Sequence, residues 1–251
     1  MSGDLTEDDF LGGRLTLKQS ADGFRAGMDS VLLGAAAPVK TGDHVLDAGS
    51  GAGVAGMCLL ARVPGAQLLG VDLDPEAVRL CTENTARNNL SDTCMYNEGD
   101  VFDLPALVGR DKFDHVISNP PFHDPTRERV SPDASKAMAH GLWGEGRYDE
   151  AIGLWIEACL VALKTKGWIT LINRTEALPA MLKALEGPAG DIQIIPLWPK
   201  AGEPARRFIV RARKGSKAAA KLLPGFVLHE ADGSFTPEID AALRECAALD
   251  V

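Results

Sequence analysis

From Val45 onward the chain alternates short, almost continuously apolar runs with stretches whose apolar residues recur at helical spacing. The runs predict strands at His44–Ala48, Gln67–Asp72, Thr93–Glu98, His115–Ser118, Trp168–Ile172, Asp191–Pro196 and Arg207–Arg213. Helices are predicted at Gly53–Ala61, Pro75–Asn88 and Tyr148–Ala162; in the last, Ile152, Trp155, Ile156, Cys159 and Leu160 fall on one face. Apolar strands separated by helices imply a mostly parallel sheet covered on both faces. No helical pattern separates the last two strands, so they should close the sheet as a hairpin with one antiparallel strand, Pro196, Pro199 and Pro204 lying in or beside its loop.

Ahead of this core, Leu15–Gln19 and Phe24–Arg25 flank Asp22-Gly23, a tight-turn signal that predicts a hairpin. Asp29 precedes the apolar run Val31-Leu32-Leu33 and reads as a helix N-cap. Behind the core, Gly225–Asp232 and Phe235–Glu245 predict a packed tail ending in a short helix, with Gly215–Lys221 as a loop. With no repeat or linker to divide it, the chain is expected to form one domain over 1–251: an extension (1–42), a core (43–215) and a tail (216–251).

Composition narrows the class. A 251-residue chain that is 45% hydrophobic can bury a full core. No apolar run approaches the about 20 residues of a membrane span, and Asp4, Glu7, Asp8 and Asp9 do not resemble a secretion signal, so no membrane partner and a cytoplasmic location are expected. Five scattered cysteines at no zinc spacing predict buried thiols and no metal. The net charge of −9 argues against indiscriminate polyanion binding, yet Lys164 to Lys221 carries 12 basic and 4 acidic residues, +8 against −17 elsewhere. That third of the chain remains able to meet a phosphate backbone.

The chemistry starts at Val45-Leu46-Asp47-Ala48-Gly49-Ser50-Gly51-Ala52-Gly53, a strand running through a glycine-rich turn into a helix. Asp72, about 20 residues beyond the glycines at the end of the next strand, is placed to accept from ribose hydroxyls, which favours an adenosine-containing cofactor. Asp47 would repel a pyrophosphate but suits the cationic amino group of S-adenosylmethionine, and Asp100, in Glu98-Gly99-Asp100-Val101, suits the adenine amino group. Leu73 and Val101 complete the expected cofactor set with Asp47, Gly49, Gly51, Gly53, Asp72, Asp100 and Asn119. The pattern resembles the class I S-adenosylmethionine-dependent methyltransferases. It implies a Rossmann-like α/β fold with a seven-stranded, mostly parallel sheet, one antiparallel strand, helices on both faces and an N-terminal hairpin and helix.

Asn119-Pro120-Pro121-Phe122 closes the apolar stretch Phe113–Ser118 and joins an amide oxygen, a proline carbonyl that no local N–H can claim, and an aromatic ring. Those parts suit a planar amino group awaiting alkylation. The resemblance implies that Asn119 and Pro120 accept its two hydrogens and that Phe122 stacks on its plane, making these three the candidate catalytic residues. The segment that follows reads as a substrate lid, where Arg127, Arg129 and Lys136 suit phosphates and Trp143 or Tyr148 a neighbouring base, with Pro121 and Phe122 completing the substrate set. His140 reads as a surface histidine.

Adenine-N6, guanine-N2 and glutamine-N5 methyltransferases share the tetrapeptide. Only about 45 residues precede the donor loop, too few for the helical domain of the release-factor glutamine enzymes or the second half of the ribosomal guanine-N2 enzymes. Phe24-Arg25-Ala26-Gly27-Met28-Asp29-Ser30-Val31-Leu32-Leu33-Gly34-Ala35 resembles the opening of the bacterial tRNA(Val) adenine-N6 methyltransferase family, and the likeness continues through Asn119–Phe122, 207–215 and Leu228-His229-Glu230-Ala231-Asp232-Gly233. It implies methylation of adenine N6 in tRNA near the anticodon, with tRNA as partner. The alternatives are rRNA guanine N2, a protein glutamine, a small planar amine, or a non-catalytic cofactor-binding module. No sequence feature bears on oligomeric state.

Overall fold

The computed structural model describes residues 5–21, 27–121 and 148–251. Its central sheet orders the strands β10-β8-β9-β7-β6-β3-β4-β5, with β11 also on β8. The strands are β3 (His44–Ala48), β4 (Gln67–Asp72), β5 (Cys94–Glu98), β6 (Phe113–Ser118), β7 (Leu163–Arg174), β8 (Ala189–Lys200), β9 (Arg207–Lys214), β10 (Lys221–Leu222) and β11 (Phe226–His229). β3 to β7 pair in parallel, and β9 lies antiparallel between β7 and β8, the expected closing hairpin. The sheet has nine strands rather than seven because the tail adds β10 and β11 in parallel along β8. Part of the predicted loop 215–221 is therefore edge strand.

Alternation along the strands sorts side chains into two apolar layers. Val45, Ile117, Ile172, Ile195 and Ile209 face one layer, where helices α1 (Met28–Ala36), α2 (Val54–Arg62) and α3 (Pro75–Arg87) pack. Leu46, Val116, Leu171, Phe208 and Val210 face the other, with the short α4 (Leu104–Leu107), α5 (Tyr148–Ala162) and α6 (Leu178–Leu185). The helical spacing of α5 buries Ile152 and Ile156 completely, each worth roughly 2 kcal/mol of transfer before ordering costs. The terminal helix α7 (Pro237–Arg244) joins the first layer through Ile239 and Ala242, and Leu249 donates its N–H to the Ala35 carbonyl at 3.0 Å.

The N-terminal hairpin differs from expectation. Strand β2 (Leu15–Ser20) pairs with β1 (Leu5–Phe10) through a turn at Leu11–Arg14 that uses positive φ at Gly12 and Gly13. Asp22-Gly23 and Phe24–Arg25, the turn and partner expected from sequence, lie outside the described residues. Asp29 is not an N-cap: Gly27 holds that position, and the Asp29 carboxylate receives Arg207 Nε at 2.6 Å, tying the first turn of α1 to β9.

Two asparagines one helical turn apart, Asn84 on α3 and Asn88 at its C-cap, hold β2. Asn88 accepts the Thr16 N–H at 3.0 Å and donates to the Thr16 carbonyl at 3.0 Å; Asn84 does the same for Lys18 at 2.8 and 2.9 Å. Four helical residues rise about 6 Å and two strand residues about 6.7 Å, so the two amides match alternate residues of the strand. Asn84 also reaches the Ala52 carbonyl, at 3.4 Å.

Candidate active site

The carboxyl ends of the parallel strands stand in register. Asp47 lies opposite Gly70 and Ile117, Ala48 opposite Val71 and Ser118, and Asp72 opposite Glu98. Gly49, Leu73, Gly99 and Asn119 thus leave the sheet along one edge. The sheet is extended from β3 toward β4 on one side and β6 on the other, so its topological switch opens a crevice there, the usual ligand position in such sheets.

In the turn after β3, Gly49, Gly51 and Gly53 have φ of 73, 52 and 78°, a region costly for residues with side chains. At Gly49 a Cβ would also lie 2.7 Å from the Trp155 ring, whereas at Gly51 it would meet nothing within 4 Å among the described residues. Gly51 therefore presents bare backbone to open space. Its N–H donates to Asp72 Oδ2 at 2.7 Å and its carbonyl receives Cys81 Sγ at 2.9 Å. Asp47 is buried below the turn, its Oδ2 without a hydrogen-bond partner among the described residues. Burial pushes its carboxyl up to about 7, the Gly56 N–H at the start of α2 opposes that rise, and the Asp72 charge adds to it.

Asp72 Oδ1 accepts the Asp74 N–H at 3.0 Å, so the carboxylate braces two backbone turns at once. Burial raises its pKa, against the N–H groups of Asp74 and Gly51. Asp100 caps the turn Val101–Asp103, accepting the Phe102 N–H at 2.9 Å, and Val101 is buried beside it while Leu73 is half-buried. Asp47, Gly49, Gly51, Gly53, Asp72, Leu73, Asp100 and Val101 thus all lie in or just beyond the ends of β3, β4 and β5.

At the next strand, Ser118 Oγ donates to the Ala48 carbonyl at 2.5 Å and accepts Trp155 Nε1 at 3.0 Å. Asn119 follows, with a buried Oδ1 that has no hydrogen-bond partner among the described residues. Pro120 is buried and Pro121 exposed, its carbonyl receiving the Tyr148 hydroxyl at 3.1 Å. Phe122, Arg127, Arg129, Lys136, His140 and Trp143 lie outside the described residues.

The model of the methyltransferase small domain matches residues 24–141, a span that contains both the glycine turn and Asn119. This stretch of the chain is a methyltransferase domain. The methyltransferase is 28% identical over 250 residues to the tRNA1(Val) (adenine(37)-N6)-methyltransferase of Porphyromonas gingivalis, covering 93% of this chain and 92% of that one. Among solved structures, a predicted O-methyltransferase from Agrobacterium tumefaciens is 24% identical, with a TM-score of 0.72 over 88% of this chain and 98% of its own. An S-adenosylmethionine-dependent O-methyltransferase from Thermotoga maritima is 18% identical, with a TM-score of 0.54 over 78% of this chain and 68% of its own.

The residues of the methyltransferase fit its cofactor, S-adenosylmethionine. Asp47 supplies an unpartnered carboxylate oxygen where a dinucleotide would need room for a pyrophosphate, and Gly51 supplies the open backbone surface. Among the described residues no helix is long and apolar enough to cross a membrane, and no cluster of three His, Cys, Asp or Glu side chains is arranged to hold a metal. Sequence reasoning missed Ser118, Cys81 and Asn84, and took Trp155 as core only. Trp155 does pack in the core, edge-on to Phe102 at 5.9 Å, while its N–H braces the acceptor strand. Tyr148, a stacking candidate by sequence, bonds the Pro121 carbonyl, and burial raises its hydroxyl to about 12, so it stays a donor near neutral pH.

Proposed function

We propose that this methyltransferase acts on N6 of an adenine in tRNA, beside the anticodon. The observation that carries the reading is the buried Asn119 Oδ1, unpartnered among the described residues, one residue past β6 and next to the glycine turn. An unsatisfied buried acceptor costs about 1 to 3 kcal/mol and is retained where a ligand satisfies it. An exocyclic amino group has two donors to offer, one for Asn119 Oδ1 and one for the Pro120 carbonyl. The curated relative from Porphyromonas gingivalis, aligned along nearly the whole chain, supports adenine in tRNA over guanine, glutamine or a small amine.

S-adenosylmethionine, when bound, supplies a methyl group on a good sulfonium leaving group. Asp47 receives the cofactor's ammonium group in this reading, Asp72 the ribose hydroxyls and Asp100 the adenine amino group. Asn119 and Pro120 orient the target nitrogen's lone pair toward the methyl and stabilise the positive charge that grows as the N–C bond forms. The nitrogen then loses one proton to water, and no strong base is needed. Phe122 stacks on the target base. Because a paired adenine is shielded in a helix, the target is taken from a loop or flipped out.

The test is mass spectrometry of nucleosides from purified tRNA after incubation with enzyme and donor. N6-methyladenosine in one tRNA species is the expected product. N2-methylguanosine in rRNA, or methylated glutamine in protein, with tRNA unmodified, overturns the reading.

A further inference from the structure

The cations of the basic C-terminal third divide between the two edges of the sheet. Arg174, Lys200, Arg206 and Arg207 lie at the carboxyl edge, where Asp29 engages Arg207 and Glu176 and Glu203 stand close in sequence. The amino edge is different. There the carboxylates are already engaged: Asp114 holds Lys164 at 2.8 Å, Asp111 holds Lys214 at 2.8 Å, Asp191 holds Lys221 at 3.0 Å, and Asp43 holds His115 at 2.9 Å. Among the described residues, exposed Glu186 and exposed Asp92, the latter just before β5, are exceptions.

Five exposed cations, Lys40, Arg110, Lys112, Lys166 and Lys217, form no ion pair among the described residues. The backbone gathers them from separate segments. Lys40 lies in the turn before β3; Lys112, whose N–H donates to the Ala162 carbonyl, precedes β6. Lys166 sits in the first turn-like part of β7 with a left-handed φ of 69°, and Lys217 lies between β9 and β10, in the loop whose Ala218 carbonyl accepts the Asp191 N–H at the start of β8. Lys40 and Lys166 line a groove of about 300 Å³ with Trp168 and the two pairs Asp114–Lys164 and Asp43–His115. Such an excess of solvent-facing cations in a chain of net charge −9 makes a local field attractive to a polyanion.

We infer that this amino edge is a second RNA-binding surface, contacting the phosphodiester backbone of the substrate away from the methylated base. The inference rests on the proposed action on tRNA. Along β7, Lys164 to Leu171, the register partner of Ser118, spans roughly 23 Å, so the surface lies at the far end of the strands from Asn119. A folded RNA of tRNA size can bridge that distance. Its contacts there are with phosphates, which adds affinity and salt dependence but no base preference.

The test compares wild type with the triple variant Lys40→Glu, Lys166→Glu, Lys217→Glu on intact tRNA and on its isolated anticodon stem-loop. For intact tRNA, affinity should fall roughly tenfold or more at moderate salt, and the slope of log affinity against log salt should flatten by about 0.7 to 0.9 per lost phosphate contact. Methyl transfer to the stem-loop should be unchanged, which also reports an intact fold and cofactor site. Unchanged affinity and slope for intact tRNA overturn the inference and leave the surface for an acidic protein. Equal losses on both RNAs overturn it too, because the cations would then act near the target base. If wild type methylates neither RNA, the tRNA reading itself has failed, an outcome distinct from a variant that fails to differ from an active wild type.

Discussion

Trp155 Nε1 donates to Ser118 Oγ at 3.0 Å, and the same hydroxyl donates to the Ala48 carbonyl. One helix is thereby bonded to the ends of the two strands that carry the donor turn and the acceptor residue. Trp155→Phe keeps most of the ring and removes the N–H. It should cost about 1 kcal/mol of stability and lower turnover more than cofactor affinity. Thermal unfolding, calorimetry with S-adenosylmethionine and initial rates check the three parts.

Asp47 sets a pH dependence. Its folded pKa, about 7, lies above the ordinary 3.8, so between those values the unfolded chain releases a proton that the folded chain keeps, and cofactor-free stability should fall as pH rises through that window. A cationic cofactor group favours the ionised form. Affinity should therefore rise with pH by up to about tenfold per unit below 7 and flatten above it. Asp47→Asn should abolish that part of the profile; titration calorimetry from pH 5.5 to 8 measures it.

Asn119→Ala removes an acceptor whose contacts strengthen as charge develops. Turnover should fall roughly a hundredfold or more, with cofactor affinity nearly unchanged. Equal losses in both would contradict this division of labour between Asn119 and the donor turn.

Replacing Asn84 and Asn88 together with Ala strips β2 of four hydrogen bonds. The expected cost is about 1 to 3 kcal/mol, concentrated in the hairpin. Hydrogen exchange should show early loss of protection at the Thr16 and Lys18 amides, ahead of global unfolding.

Strands buried on both faces announce themselves as apolar runs, so β3, β4 and α5 have the expected bounds and β6, β7, β8 and β9 differ mainly at their ends. Elements with little to bury were harder to read. Leu5–Phe10 is an acidic strand exposed along one face, and Asp22-Gly23 offered a stronger turn signal than Leu11–Arg14. The helix Leu178–Leu185 is short and has Pro179 in its first turn, which looks like a break. At the site, the grouping of the carboxylates and glycines was legible because they stand at the ends of successive strands along the chain. Ser118, Trp155 and Cys81 were not, since their roles exist only where separate segments meet.

The amides of Asn84 and Asn88 have one more effect. A two-stranded ribbon normally exposes a row of free backbone groups on each side, an invitation to pairing with another chain. The side chains of α3 occupy that row at Thr16 and Lys18, and the opposite side belongs to a strand carrying Glu7, Asp8 and Asp9. One flank is filled by a helix and the other bears consecutive like charges, so this ribbon is guarded against edge-to-edge aggregation.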